Sequence, residues 1–175
     1  KKGAEVHLVL GPATIDVDKR IKTERVVSAN EMYEACMKDF QSYHIIVMAA
    51  AVADYTPQHK SDQKIKKDAN EFSISLIKTK DILQTAGKLK SKLQTLVGFA
   101  LETNNEKENA LRKLLNKNAD IIVLNSMNDE GAAFGYDTNK ITIFDKDQNE
   151  YHFPLKTKKD VAVDIVNTII QYRNE

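Results

Sequence analysis

Four short apolar runs, separated by stretches with helical periodicity, constrain this chain more than any other feature. They are Glu5–Leu10, His44–Ala50, Thr95–Ala100 and Asp120–Leu124. Each has strand length, and each is followed by turn-forming or helix-capping residues. His44–Ala50 (HIIVMAA) is apolar almost throughout, the pattern of a parallel strand covered on both faces. Ser28-Ala29-Asn30-Glu31 has the spacing of a capping box. After it, Tyr33, Cys36, Met37 and Phe40 fall at i, i+3, i+4 and i+7, the stripe of a helix packed on a sheet. Thr103-Asn104-Asn105-Glu106 repeats the box before Ala110, Leu111, Leu114 and Leu115. Asp81–Lys90 predicts a helix with Ile82, Leu83, Ala86 and Leu89 inward. Val161, Ile165, Val166 and Ile169 mark a last helix.

Strands alternating with helices predict an α/β fold, a three-layer Rossmann-like arrangement with a mostly parallel sheet. One domain over residues 1–175 suits the length. Arg25–Val27 reads as a further short strand. Glu71–Lys78 alternates, with Phe72, Ile74 and Leu76 on one face, and predicts a protruding flap or β-arm paired with Lys64–Lys66. Lys140–Phe144 and Glu150–Phe153 predict a hairpin about the polar turn 145–149. Lys1-Lys2-Gly3-Ala4 resembles the tail of a helix. A first strand, its glycine-rich turn and its helix are therefore expected to be missing from the N-terminus.

The net charge of +1 provides no field to draw the chain to nucleic acid or a membrane, and neither is expected as a partner. The longest apolar run, Ile45 to Ala53, is too short to span a bilayer. Cys36 is the only cysteine, so no internal disulfide forms; a cytoplasmic setting is expected. Its place on the helical stripe predicts a core position.

In open α/β sheets, ligands bind beyond the carboxyl ends of the strands. Three of the predicted strands run into small or polar clusters: Ala51-Val52-Ala53-Asp54-Tyr55, Glu102-Thr103-Asn104-Asn105, and Asn125-Ser126-Met127-Asn128-Asp129. Each alone suits a turn or cap. Three in series suit one ligand edge, with the helix N-terminus near Asn104 offering N–H groups to an anion. Residues 56–70 are polar and hold Lys60, Lys64, Lys66 and Lys67, as a solvated loop or as a flap carrying ammonium groups over a phosphate. Lys113 and Lys117, at i and i+4, share a helix face. Their mutual repulsion is relieved if a polyphosphate binds there, and they otherwise form a solvated face.

Other chemistry finds less support. His7, His44, His59 and His152 lack metal-ligand spacing. Neither G-x-x-x-x-G-K-[ST] nor G-x-G-x-x-G occurs. Tyr136 and Lys140 have the spacing of short-chain dehydrogenases, but in a loop-like stretch.

The most specific patterns are Ala50-Ala51-Val52-Ala53-Asp54-Tyr55 followed by Lys64-Ile65-Lys66-Lys67, then Gly98-Phe99-Ala100-Leu101-Glu102-Thr103-Asn104. Lys117-Asn118-Ala119-Asp120 leading into Asn125, and Gly135 with Asp137 and Asn139, complete the series. In order and spacing the chain resembles phosphopantothenoylcysteine synthetase (phosphopantothenate–cysteine ligase), the ligase domain of the bacterial bifunctional coenzyme A biosynthesis protein. The resemblance implies CTP-dependent ligation of cysteine to 4′-phosphopantothenate through an acyl-cytidylate, with Mg²⁺ on the triphosphate. It further implies a homodimer, with Glu71–Lys78 as a candidate contact, and FMN only where a decarboxylase domain is also present. It assigns CTP contacts to Met48, Ala49, Ala50, Asp54, Lys64, Lys80, Asp81, Ile82, Leu83, Phe99, Lys113 and Lys117. Lys64 supplies the catalytic charge, Phe99 and the Asp81 turn frame the cytidine, and Asn125 lines the same edge. Thr79-Lys80 stands where the family has Asn-Pro. The family's G-G-T-x-E turn and S-S-G-K-M-G segment are absent from these 175 residues, so the chain alone is expected to be inactive. A non-catalytic nucleotide-binding or dimerisation module, and a Rossmann-type NAD(P)-dependent oxidoreductase, are the alternatives.

Overall fold

The computed structural model describes residues 2–59, 61, 63–64, 72–126 and 136–174. The predicted features at Lys60, Ile65, Lys66, Lys67, Met127, Asn128, Asp129 and Gly135 lie outside the described residues. The chain forms two compact units, residues 1–38 with 50–82, and residues 39–49 with 83–175.

In the first unit, β1 (His7–Leu10) pairs in parallel with β2 (Lys22–Arg25), His7 opposite Lys22. The second strand thus precedes the expected Arg25–Val27. The reason lies in the next turn: Val26 donates its N–H to Leu10 O, and the chain then enters α1 (Ala29–Lys38). The capping box at its start is formed. Ser28 Oγ accepts the N–H of Glu31, and the Glu31 carboxylate reaches back to the N–H of Val27 at 2.8 Å. Met32 is the buried side chain of α1, while of the predicted stripe Tyr33, Cys36 and Met37 are half-buried and Phe40, just beyond the helix, is buried. Cys36 is only half-buried, which corrects its predicted core position. Burial, reinforced by the charge of Glu24, still pushes its thiol pKa up.

An antiparallel pair, β4 (Tyr55–Pro57) with β5 (Leu76–Lys78), completes this unit. Leu76–Lys78, the end of the alternating segment, thus pairs with Tyr55–Pro57, and the predicted pairing with Lys64–Lys66 falls on residues that lie mostly outside the described ones. Phe72, Ile74 and Leu76 are all exposed.

The second unit holds a five-stranded sheet in the order β3-β6-β7-β8-β9. β3 (Ile45–Met48), β6 (Thr95–Glu102) and β7 (Ile121–Ser126) are parallel. β8 (Thr138–Asp145) and β9 (Glu150–Thr157) add the predicted hairpin antiparallel to β7. Pro154, which has no N–H to donate, lies on the edge strand β9 beside the register shift at Asn139–Ile141. A short 3-10 turn (Phe40–Ser42) precedes β3. Helices α2 (Ile82–Leu89), α3 (Glu106–Asn116) and α4 (Lys158–Asn174) complete the set.

Strand alternation divides the core. Val97, Ile121, Val123, Ile141 and Ile143 pack with Val161, Ile165 and Ile169 of α4. Leu96, Gly98, Ala100, Ile122 and Leu124 point to the other face. There a Cβ on Gly98 would lie 2.8 Å from Leu83 Cδ2 and 2.9 Å from Ile122 Cδ1, so only glycine lets α2 seat this closely.

Three apolar positions depart from the helical patterns. Leu89 is 50% exposed, Leu115 75% and Val166 41%. Each sits at the margin of its stripe, beyond the reach of the sheet. β3 was expected to be covered on both faces, yet Ile45 and Val47 are exposed because β3 is the edge of its sheet. The second capping box is not formed. Asn105 is the N-cap of α3 in a left-handed conformation (φ 47°) with no side-chain cap bond, and Glu106 instead accepts the Ser126 hydroxyl at 2.6 Å.

Candidate functional site

β3, β6 and β7 are parallel neighbours, so their carboxyl ends at Met48, Glu102 and Ser126 share one edge of the sheet. Met48 stands opposite Gly98 in register, and Leu83 rests on Gly98. Phe99 points to the opposite face, half-buried against the α4 cluster. Asn125 follows on that same face, paired with Leu101 and Ile141. Its Oδ1 is buried and has no hydrogen-bond partner among the described residues. A buried acceptor left unpaired costs about 1–3 kcal/mol. A ligand N–H or O–H directed at this atom would remove that cost.

Lys113 and Lys117 do meet. With Gln84, Glu102, Asn109, Arg112 and Asn116 they line an open pocket of about 520 Å³ on the α2–α3 side. Lys117 Nζ donates to Gln84 Oε1 at 3.2 Å, and Gln84 Nε2 donates to Asn116 O at 3.0 Å. Asn109 Nδ2 donates to Glu102 Oε2 at 3.0 Å and to Asn104 O at 2.9 Å. Three cations face one carboxylate, and that carboxylate is already engaged. The backbone fixes the lysines too: a Cβ on Gly87 would overlap the Lys117 carbonyl oxygen, and Asn118 Nδ2 donates to Gly87 O at 2.7 Å. The helix periodicity of Lys113 and Lys117 was visible in the sequence. The roles of Gln84, Asn109, Arg112 and Asn116 were not, because polar residues on helices α2 and α3 read as solvated surface.

The first unit holds most of the remaining predicted residues. Thr79 binds the loop before β4 twice, its N–H to Asp54 O at 2.8 Å and its hydroxyl to Ala53 O at 2.6 Å. Asp54 thereby lies beside the Thr79-Lys80-Asp81 turn. Lys80 is exposed but engaged within this unit: its Nζ lies 2.9 Å from Glu34 Oε1 and 4.3 Å from the centre of the Tyr33 ring. The Glu34 hydrogen bond is the main reason its pKa is raised. Ala50, Asp81 and Lys64 are exposed, as is Ala49 at the end of β3, and Ile82 is buried. Lys140 lies on β8, so Tyr136 and Lys140 do not share a helix face.

Residues 1–172 match the model of the DNA/pantothenate metabolism flavoprotein C-terminal domain. The chain belongs to that family. Relatives include a cysteine/cysteine sulfinic acid decarboxylase from an unknown prokaryotic organism, 52% identical over 96% of this chain and 47% of the relative. The coenzyme A biosynthesis bifunctional protein CoaBC of Bacillus subtilis is 41% identical over 95% of this chain and 41% of its own length. The chain thus spans less than half the length of these curated relatives. The crystal structure of the C-terminal domain of a CoaBC protein superposes with a TM-score of 0.81 at 37% identity, covering 99% of this chain and 77% of that one. A Streptococcus pneumoniae DNA/pantothenate metabolism flavoprotein shares the fold at 19% identity, with a TM-score of 0.74 over 97% of this chain and 82% of that one.

Family membership and the superposition agree with the predicted fold class, a mixed α/β domain with a mostly parallel central sheet. No helix among the described residues is long and apolar enough to cross a membrane.

Proposed function

We propose that this domain acts in coenzyme A biosynthesis as a CTP-dependent ligase joining cysteine to 4′-phosphopantothenate. The reading is carried by the pocket in which Arg112, Lys113 and Lys117 face a single, engaged carboxylate. Such a surface carries an excess of positive charge and suits a polyphosphate. The CoaBC names of several relatives and the ligase resemblance of the sequence supply the substrate class. The unpaired Asn125 Oδ1 offers an acceptor to a nucleoside N–H or O–H.

The chemistry runs in two displacements. The phosphopantothenate carboxylate attacks the α-phosphorus of CTP, and pyrophosphate leaves with the bond between the α- and β-phosphates. The cysteine amine then attacks the acyl carbon, and CMP leaves with its phosphate oxygen while the amine loses a proton. The protein's part is to hold two anions side by side and to neutralise charge on the leaving phosphates. No cluster of three His, Cys, Asp or Glu side chains that could hold a metal occurs among the described residues. Magnesium fits the reading as a companion of the triphosphate, since it takes most of its ligands from phosphate and water.

Incubation of this domain, joined to the G-G-T-x-E and S-S-G-K-M-G segments that the family resemblance implies, with CTP, cysteine and 4′-phosphopantothenate should yield CMP and pyrophosphate in equal amounts with the amide product. Lys113→Met and Lys117→Met should each raise KM for CTP roughly tenfold, the scale of a lost charge-assisted bond. Release of carbon dioxide from cysteine without CTP consumption would instead assign this chain the activity for which the 52% identical relative is named.

A further inference from the structure

Among the cations of the α2–α3 pocket, Arg112 is set apart by how it is held. Its Nη2 donates to Asn109 Oδ1 at 2.7 Å, while the amide nitrogen of Asn109 is anchored to Glu102 Oε2 and Asn104 O. A carboxylate thus orients an amide, and the amide orients a guanidinium. The relay uses the strongly accepting Glu102 to fix Asn109, and so keeps that carboxylate from neutralising Arg112 directly. Arg112 finds no other acceptor among the described residues, which leaves most of its five-donor fork available. Arg112 is exposed, whereas Lys113 and Lys117 are half-buried. The guanidinium therefore stands at the rim with the ammonium groups deeper in.

We propose that Arg112 recognises the terminal phosphate of the nucleoside triphosphate, and that Asn109 and Glu102 are its positioning residues. The inference rests on the reading of this pocket as the nucleotide site. A terminal phosphate carries the largest charge of the chain and three unesterified oxygens, which a planar fork grips with paired bonds. Lysines, as point charges, suit the inner bridging phosphates equally well and discriminate less. The same phosphate chemistry occurs on 4′-phosphopantothenate, so the test must separate the two sources.

The test is calorimetric titration of CTP, CDP, CMP and 4′-phosphopantothenate into the wild-type protein and into Arg112→Met, Asn109→Ala, Lys117→Met and the Arg112/Asn109 double variant. Arg112→Met should weaken CTP roughly tenfold, CDP by less, and CMP not at all. Unchanged CMP affinity shows that the fold is intact. Asn109→Ala should lower the CTP-to-CDP preference in the same direction, yet add nothing in the Arg112→Met background. A merely structural Asn109 would add its own loss there and would weaken CMP as well. An unchanged CTP-to-CDP ratio in Arg112→Met, with Lys117→Met still weakening CTP, overturns the inference and leaves the nucleotide reading standing. Loss of 4′-phosphopantothenate affinity alone in Arg112→Met also overturns it. Failure of the wild-type protein to bind any of the three nucleotides removes both.

Discussion

Asp120 illustrates how a buried charge is made tolerable residue by residue. It is 1% exposed, just before β7 and at the end of the sheet away from the strands' carboxyl ends. Lys90 Nζ approaches its two oxygens at 2.6 and 2.7 Å, Lys146 Nζ at 2.9 Å, and the Leu96 N–H at 2.8 Å. Burial by itself would raise the Asp120 pKa. The Leu96 N–H and the two ammonium groups outweigh it and hold the carboxyl below its ordinary value of 3.8. Tyr172 and Asp120 in turn push the Lys146 pKa up. A carboxyl depressed in the folded state contributes stability that is complete above the unfolded pKa and fades as pH falls through the folded one. The protein should accordingly lose part of its denaturant resistance as pH drops below 3.8. Asp120→Asn should flatten that limb. At neutral pH it should cost about 3 kcal/mol, because Lys90 is left buried without its counter-ion. Urea midpoints across pH, for wild type and variant, check both expectations. The sequence shows an aspartate at the head of an apolar run but nothing of its partners, which come from 30 residues before and 26 after.

Among elements, the two capping boxes show what local sequence does and does not decide. Ser28–Glu31 closes as its spacing predicts, since both partners lie within one turn. Thr103–Glu106 has the same letters but fails, because β7 delivers the Ser126 hydroxyl to Glu106. Amphipathic periodicity likewise located the four α-helices among the described residues. It placed Leu89 and Leu115 inward because a stripe read from sequence has no knowledge of where the sheet ends. For the candidate site, Lys113 and Lys117 were legible as one helix face. Their seat was not, because it is the contact of Gly87 on α2 with the carbonyl of Lys117. Gly87→Ala must push α2 and the end of α3 apart. The expected cost is about 2 kcal/mol, within the range for overpacked positions. A denaturation midpoint and the CTP affinity of that variant should fall together. A loss of stability with unchanged affinity would show that the seat does not position Lys117.

At the scale of the molecule, the parallel core was readable from four apolar runs, since three of them became neighbouring strands with their carboxyl ends on a common edge. The division into two units was not, because no Pro- or Gly-rich linker marks it and each unit draws on two separate stretches of chain. Their sheets differ in what supports them. Two-stranded sheets are marginal alone, whereas five strands with helices on both faces bury Leu96, Ile121, Ile122, Val123 and Ile143 almost completely. Native-state hydrogen exchange should therefore be slowest at β6, β7 and β8 and faster by orders of magnitude at β1, β2, β4 and β5. Equal protection across all of them would contradict this.

The antiparallel hairpin that ends the sheet also reverses direction twice, so β9 finishes at the same edge as β3, β6 and β7. α4 begins there directly after Thr157, and α3 begins there after β6. Two aligned stacks of peptide dipoles thus point their positive poles at one rim, giving it a standing electrostatic potential before any lysine is counted.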